Sequence, residues 1–168
     1  MSGFAYKKGF TLLELMVTLA VLAIVIGLAV PSFQQMIINN RLNTEVNTLV
    51  SALQLARSEA VKRGAEVRVA AVDGNWTNGF CVTLSASDPC EDDDDDRIRV
   101  FEGAVSPLTS TPNNVTALVF NRMGELVGAN AITLNMTLPS CPAGKVDGLR
   151  RLQIGMGGQV TLSRGNCS

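Results

Sequence analysis

The chain has 168 residues, a net charge of −1 and a sequence pI near 5.4. That length suits one domain with appendages, and the charge gives no global basicity to draw it to nucleic acid. Histidine is absent, which removes the commonest general base and metal ligand, and no nucleophile–base pair, phosphate loop or ligand cluster appears in its place. The sequence therefore points away from an enzyme and calls for no cofactor.

The first element is apolar. Phe10 to Val30 has the length of a membrane-crossing helix and is preceded by Lys7 and Lys8, so the positive-inside rule keeps the N-terminus cytoplasmic and exports the rest. A cleaved secretory signal would end in a small-x-small site; here the run leads into Pro31-Ser32-Phe33 and on into further helical pattern. Leu42, Val46, Leu49, Leu53, Ala56 and Ala60 alternate steps of four and three, the seam of a helix that packs on something. Lys62 and Arg63 suit a last turn and Gly64 a stop. Unbroken, Phe10 to Arg63 would be about 80 Å long. Pro31 lacks the N–H that would bond the carbonyl of Gly27, so a kink or loosened turn is expected there.

Glu14 stands out inside the apolar run. A carboxylate in hydrocarbon costs roughly 2.5–3.5 kcal/mol on insertion scales. Either its charge reaches water at the cytoplasmic interface, or it meets a cationic partner on another copy of the chain. Lys7 and Lys8 are candidates, and an amine freed by cleavage before Phe10 would be better placed.

Beyond Gly64 the period changes to that of strands. Glu66–Ala70, Phe80–Leu84, Arg97–Phe101, Ala117–Phe120 and Ile132–Leu138 read as strands. Arg151–Ile154 and Gln159–Leu162 form a hairpin across Gly155-Met156-Gly157-Gly158. Glu91 to Asp96 is an unbroken acidic run. Consecutive carboxylates cannot converge on one calcium ion, so a solvated loop is expected and no metal site. Pro107 to Asn114 reads as another polar loop, Trp76 as a turn anchor, and the Asn75-Trp76-Thr77 and Asn114-Val115-Thr116 glycosylation patterns as chance.

Gly9-Phe10-Thr11-Leu12-Leu13-Glu14 resembles the class III signal of type IV pilins and type II secretion pseudopilins. The resemblance implies that a prepilin peptidase cuts after Gly9 and methylates the new terminal Phe10. It implies too that Glu14 meets that methylated amine on a neighbouring subunit, and that Pro31 is the proline of the family's first helix. Arg41-Leu42, Leu53 to Arg63, Phe120-Asn121-Arg122-Met123-Gly124 and Arg151 to Val160 are similar to the GspH/FimT/FimU class of minor pilins and minor pseudopilins. The implied fold is α+β and type IV pilin-like, with a long helix packed on an antiparallel sheet. The implied organisation is a leader at 1–9, a transmembrane helix at 10–31, an amphipathic helix at 32–64 and an exported β domain at 65–168.

The even cysteine count and the absence of CxxC favour disulfides in an oxidising compartment. Four cysteines allow three pairings, and local pairing, Cys81 with Cys90 and Cys141 with Cys167, is expected. The implied role is a minor pilin in the inner membrane and then the pilus, priming assembly beside other minor and major pilins near the tip. A minor pseudopilin of a type II secretion system shares the same motif. A third reading, DNA binding for uptake, draws on Arg150, Arg151 and Arg164. Against it, the tail Ser163-Arg164-Gly165-Asn166-Cys167 departs from the Gly-Arg-x-Arg motif of the DNA-binding branch, and no aromatic residue follows Phe120 to stack a base.

Overall fold

A computed structural model describes residues 10–84, 90, 96–103, 106, 108–111, 115–128 and 130–167. Lys7, Lys8, Gly9, the acidic residues 91–95 and Asn114 lie outside that set. The element order is α1 (Leu12–Arg63), β1 (Val67–Ala71), a short 3-10 turn at Val72–Gly74, β2 (Gly79–Thr83), β3 (Arg97–Glu102), β4 (Leu108–Thr111), β5 (Ala117–Phe120), β6 (Ile132–Thr137), β7 (Leu149–Ile154) and β8 (Val160–Gly165). By its contacts the chain divides into two units, residues 1–38 and Asn39–Ser168.

In the first unit every residue from Phe10 to Leu28 is exposed. This stretch is long and apolar enough to cross a membrane, and none of it is buried inside the protein. Gly27 and Pro31 both fall within α1, which runs for 52 residues.

The second unit is a helix on two sheets. Leu42, Val46, Leu49, Leu53, Ala56 and Ala60 are all buried, with Ala52 beside them. This is the four–three seam of the sequence, and it enters one apolar cluster with residues of both sheets. Ala52, Ala56 and Ala60 complete the buried face with small side chains. The helix stops at Gly64, whose φ of 63° an L side chain rarely adopts.

Both sheets are four-stranded and antiparallel, in the orders β3-β2-β1-β5 and β4-β6-β7-β8. The sequence predicts a single sheet face and a polar loop at 107–114; the structure has two sheets, and Leu108–Thr111 is the edge strand of the second. Leu-Thr-Ser-Thr has only one large apolar residue to show a period. Its pairing is set by its neighbour, Leu108 opposite Met136 and Thr111 opposite Thr133. The predicted strands otherwise stand, with β7 starting two residues early and β8 running on to Gly165.

Segment 120–127 stitches the two sheets. Phe120 bridges Leu126, the Val127 N–H donates to the Val119 carbonyl at 2.8 Å, and the Leu126 N–H donates to the Met156 carbonyl at 2.8 Å. Trp76 is buried and its indole Nε1–H donates to the Val115 carbonyl at 2.7 Å, fixing the β1–β2 connection. It tilts against Phe80, which stacks on Phe101 with centroids 5.0 Å apart.

Disulfides join Cys81 to Cys90 and Cys141 to Cys167, with Cα atoms 5.6 and 5.4 Å apart. The second fastens the C-terminus together with two backbone bonds, Gly144 N–H to Cys167 O at 2.8 Å and Cys167 N–H to Lys145 O at 3.0 Å. Gly148 lies against this bridge, and a Cβ there would collide with the Cys167 sulfur.

Candidate assembly site

At the start of α1 the backbone N–H of Glu14 donates to Thr11 Oγ1 at 3.2 Å. Thr11 is thus the N-cap and Glu14 the third helical residue, the Thr-x-x-Glu arrangement of a capping box. The spacing was visible in the sequence, and its capping role is one that a reading centred on the membrane misses. It places a carboxylate in the first turn, where free N–H groups and the helix dipole favour negative charge. The Glu14 carboxylate has no ion-pair partner among the described residues. Around it Phe10, Leu12 and Leu13 are each more than 70% exposed. This end of the helix is an apolar rod carrying one acid, and no other described residue covers it.

The three predicted arginines do not form one patch. Arg150 is only 4% exposed. Its Nε–H donates to Asn43 Oδ1 at 3.0 Å, and one terminal nitrogen donates to the carbonyls of Asp147 and Leu149 at 2.7 and 3.1 Å. Burial, with Arg164 nearby, pushes the guanidinium below its ordinary range, against an opposing pull from Asp147. Arg150 is a tether between β7 and α1, with Nε and one terminal nitrogen engaged inside the chain. Arg151 and Arg164 are exposed, but they belong to opposite faces of the sheet. Arg164 stands opposite Arg150, and Arg151 opposite Ser163.

A junction that the sequence reading missed gathers the separated motif stretches instead. Arg57 on α1 donates its Nε–H to the Gly124 carbonyl at 3.0 Å. Gly124 (φ 78°) closes a turn in which Asn121 Oδ1 accepts from Met123 and Glu125 N–H at 2.8 and 3.0 Å. Gly158 (φ 73°), in the β7–β8 turn, sits so close that a Cβ would collide with the same Gly124 carbonyl. Helix, first sheet and second sheet meet at one peptide. The sequence carried a hint, glycines in two turns and an arginine off the apolar seam, but no period links residues 57, 124 and 158.

A family model described as type II transport protein GspH matches residues 45–158, from the helix seam after Leu42 through strand β7, with the Arg57 junction inside it and β8 beyond its end. The chain belongs to the GspH family. A second model, the prokaryotic N-terminal methylation motif, matches residues 5–30. The fold is that of a type IV minor pilin. The crystal structure of the type IV minor pilin FimU of Pseudomonas aeruginosa PAO1 superposes with a TM-score of 0.61 at 26% identity, covering 75% of this chain and 99% of that one. A second crystal form of FimU gives a TM-score of 0.62 at 26% identity, covering 77% and 96%. Two fimbrial proteins of P. aeruginosa are each 34% identical over 76 residues, 44% of this chain. The match spans 49% of the length of each of those relatives.

Proposed function

We propose that this GspH-family chain is a minor subunit of a type IV pilus that helps prime assembly and is incorporated near the tip. The observation that carries the proposal is the helix from Phe10 to Leu28, apolar, exposed along its length among the described residues, and bearing one acid, Glu14, in its capped first turn. Leaving such a surface in water is unfavourable at about 25 cal/mol for each Å2. The helix calls for lipid and then for other helices.

In this reading residues 1–9 are a leader removed by a prepilin peptidase after Gly9, and 10–31 span the inner membrane with the N-terminus cytoplasmic. The second half of the helix (32–64) and the β domain (65–168) lie in the periplasm and later on the pilus. Gly27 and Pro31 weaken the helix near the end of the span, because Pro31 cannot donate to the Gly27 carbonyl. The amine freed at Phe10 would meet Glu14 of a neighbour. Two groups each costly in lipid compensate one another only in the correct register, so the pair checks assembly and adds little net stability. The partners are other minor and major pilins, and the similarity to FimU favours a pilus over a secretion pseudopilus. No enzymatic role is proposed.

The test is to shear filaments from cells making the full-length protein and probe them with antibody against the β domain. The reading expects signal in the filament fraction, and loss of most of it in Glu14→Ala while membrane levels stay equal. A Glu14→Ala protein recovered in filaments at the normal level would overturn it.

A further inference from the structure

The outer surface of the Arg57 junction has a feature that folding does not account for. The last turns of α1 and the Asn121–Gly124 turn enclose a shallow hollow of about 530 Å3, lined by Gln54, Arg57, Ser58, Val61, Lys62 and Met123. Its apolar wall is uncovered: Val61 is 55% and Met123 68% exposed. Met123 is held there by a stiff turn. Besides the two bonds to Asn121 Oδ1, the Gly124 N–H donates to the Asn121 carbonyl at 2.8 Å, and Asn121 Nδ2 donates to Glu125 Oε2 at 2.9 Å. A rigid turn that displays methionine beside an arginine resembles the composition of interface cores, where methionine and arginine are enriched.

The charge around the hollow is one-sided. Arg57 and Lys62 line it and, among the described residues, no acid does; Arg122 precedes Met123 in the turn, and Glu59 and Glu125 are the nearest acids in sequence. Both carboxylates are already engaged within the chain, Glu59 with Arg63 and Lys62 and Glu125 with Asn121. Arg57 is anchored through Nε to Gly124, so its terminal nitrogens are left in a fixed orientation that suits a carboxylate.

We infer that this hollow is a docking socket for a carboxylate-bearing, apolar segment of a neighbouring filament subunit. The inference rests on the filament reading above and adds the contact surface and the chemistry of its occupant. The incoming carboxylate pairs with Arg57 and Arg122, and an apolar side chain beside it covers Met123 and Val61. Because the turn and the arginine are already ordered, little conformational freedom is lost on docking.

The experiment places the photo-crosslinking residue benzoylphenylalanine at Met123 of the full-length protein in filament-bearing cells, and maps the crosslinked residue by mass spectrometry. The expected product joins Met123 to a subunit segment with an Asp or Glu within a few residues of the attachment point. Lys62→Glu with Arg122→Glu should lower its yield about tenfold by reversing the charge. The neutral pair Lys62→Gln and Arg122→Gln, the milder change to the fold, should give an intermediate yield. Crosslinks that map to lipid, that map to a segment without acid, or that survive charge reversal overturn the socket. So does protein present in sheared filaments with no crosslink, which leaves the filament reading standing. Protein absent from filaments altogether overturns both.

Discussion

Arg57 and Gly124 lie 67 residues apart in sequence, yet a 3.0 Å hydrogen bond between the arginine Nε–H and the glycine carbonyl fastens the helix to the turn that joins the sheets. Gly158 closes the other side of that carbonyl. Its φ of 73° and the absence of room for a Cβ give one expectation from two causes. Gly158→Ala should destabilise the folded β domain by about 2–3 kcal/mol, read from the urea midpoint of the full-length protein in detergent. An unchanged midpoint would show that the junction yields more readily than its packing implies.

Arg150 and Arg151 are adjacent and should behave oppositely. Arg150→Ala removes a buried, triply bonded cation and strands Asn43 and two carbonyls. It should cost about 2–3 kcal/mol, the scale for losing hydrogen bonds to a charged group and leaving acceptors unsatisfied. Arg151 lies on the exposed outer face and bonds Asn135 Oδ1 at 3.3 Å. Arg151→Ala should change stability by less than about 0.5 kcal/mol. Duplex DNA titrated against the wild-type protein at low salt should give no salt-dependent shift, because Arg151 and Arg164 point from opposite faces and cannot track one backbone together.

The contrast shows how much the sequence alone could say. The helix seam was legible because apolar residues recur at three and four steps over nineteen positions from Leu42 to Ala60, and period is a local property. The membrane-length run, Glu14 and the glycine-rich β7–β8 turn were legible for the same reason. Strand β4 was not, since Leu108–Thr111 has too little apolar content to show alternation and forms because β6 offers it a partner. The division into two sheets was likewise hidden, because strands of either sheet share the same period. Arg150 looked like a surface cation because its bond to Asn43 spans 107 residues. The Arg57 junction was hidden by the same distance in sequence.

The Cys141–Cys167 bridge closes a span of 26 residues around β7 and β8. Replacing both cysteines with alanine should lower stability by about 3–4 kcal/mol on the chain-entropy account. The loss should appear first as faster amide exchange at position 167 and at Gly144, whose N–H groups donate to the carbonyls of Lys145 and residue 167 beside the bridge. Equal exchange in the variant would assign the fastening to those backbone bonds instead.

At the end of α1 the hydrogen bond from Arg63, with Lys62 and Arg63 adding attraction, holds the Glu59 carboxyl below its ordinary value of 4.5, against a smaller opposing effect of burial. A depressed carboxyl stabilises the fold above its unfolded pKa and loses that contribution as pH falls through the folded one. Protection of the amides across residues 60–63, relative to the intrinsic exchange rate at each pH, should therefore hold at neutral pH and fall below about pH 4.5. Glu59→Gln should remove the acid-dependent part of that change. A variant that keeps the full pH dependence would assign it to another carboxylate.

The central claim is that Glu14 is tolerated in an apolar helix because a neighbour's freed terminus reaches it. The measurement that tests this most directly is the intact mass and N-terminal peptide of the protein extracted from membranes of cells with a working prepilin peptidase. The account predicts a chain beginning at N-methylated Phe10, and a chain that keeps residues 1–9 when Gly9 is replaced by alanine. A wild-type protein that retains its first nine residues would have no amine at Phe10 to offer, and would contradict it.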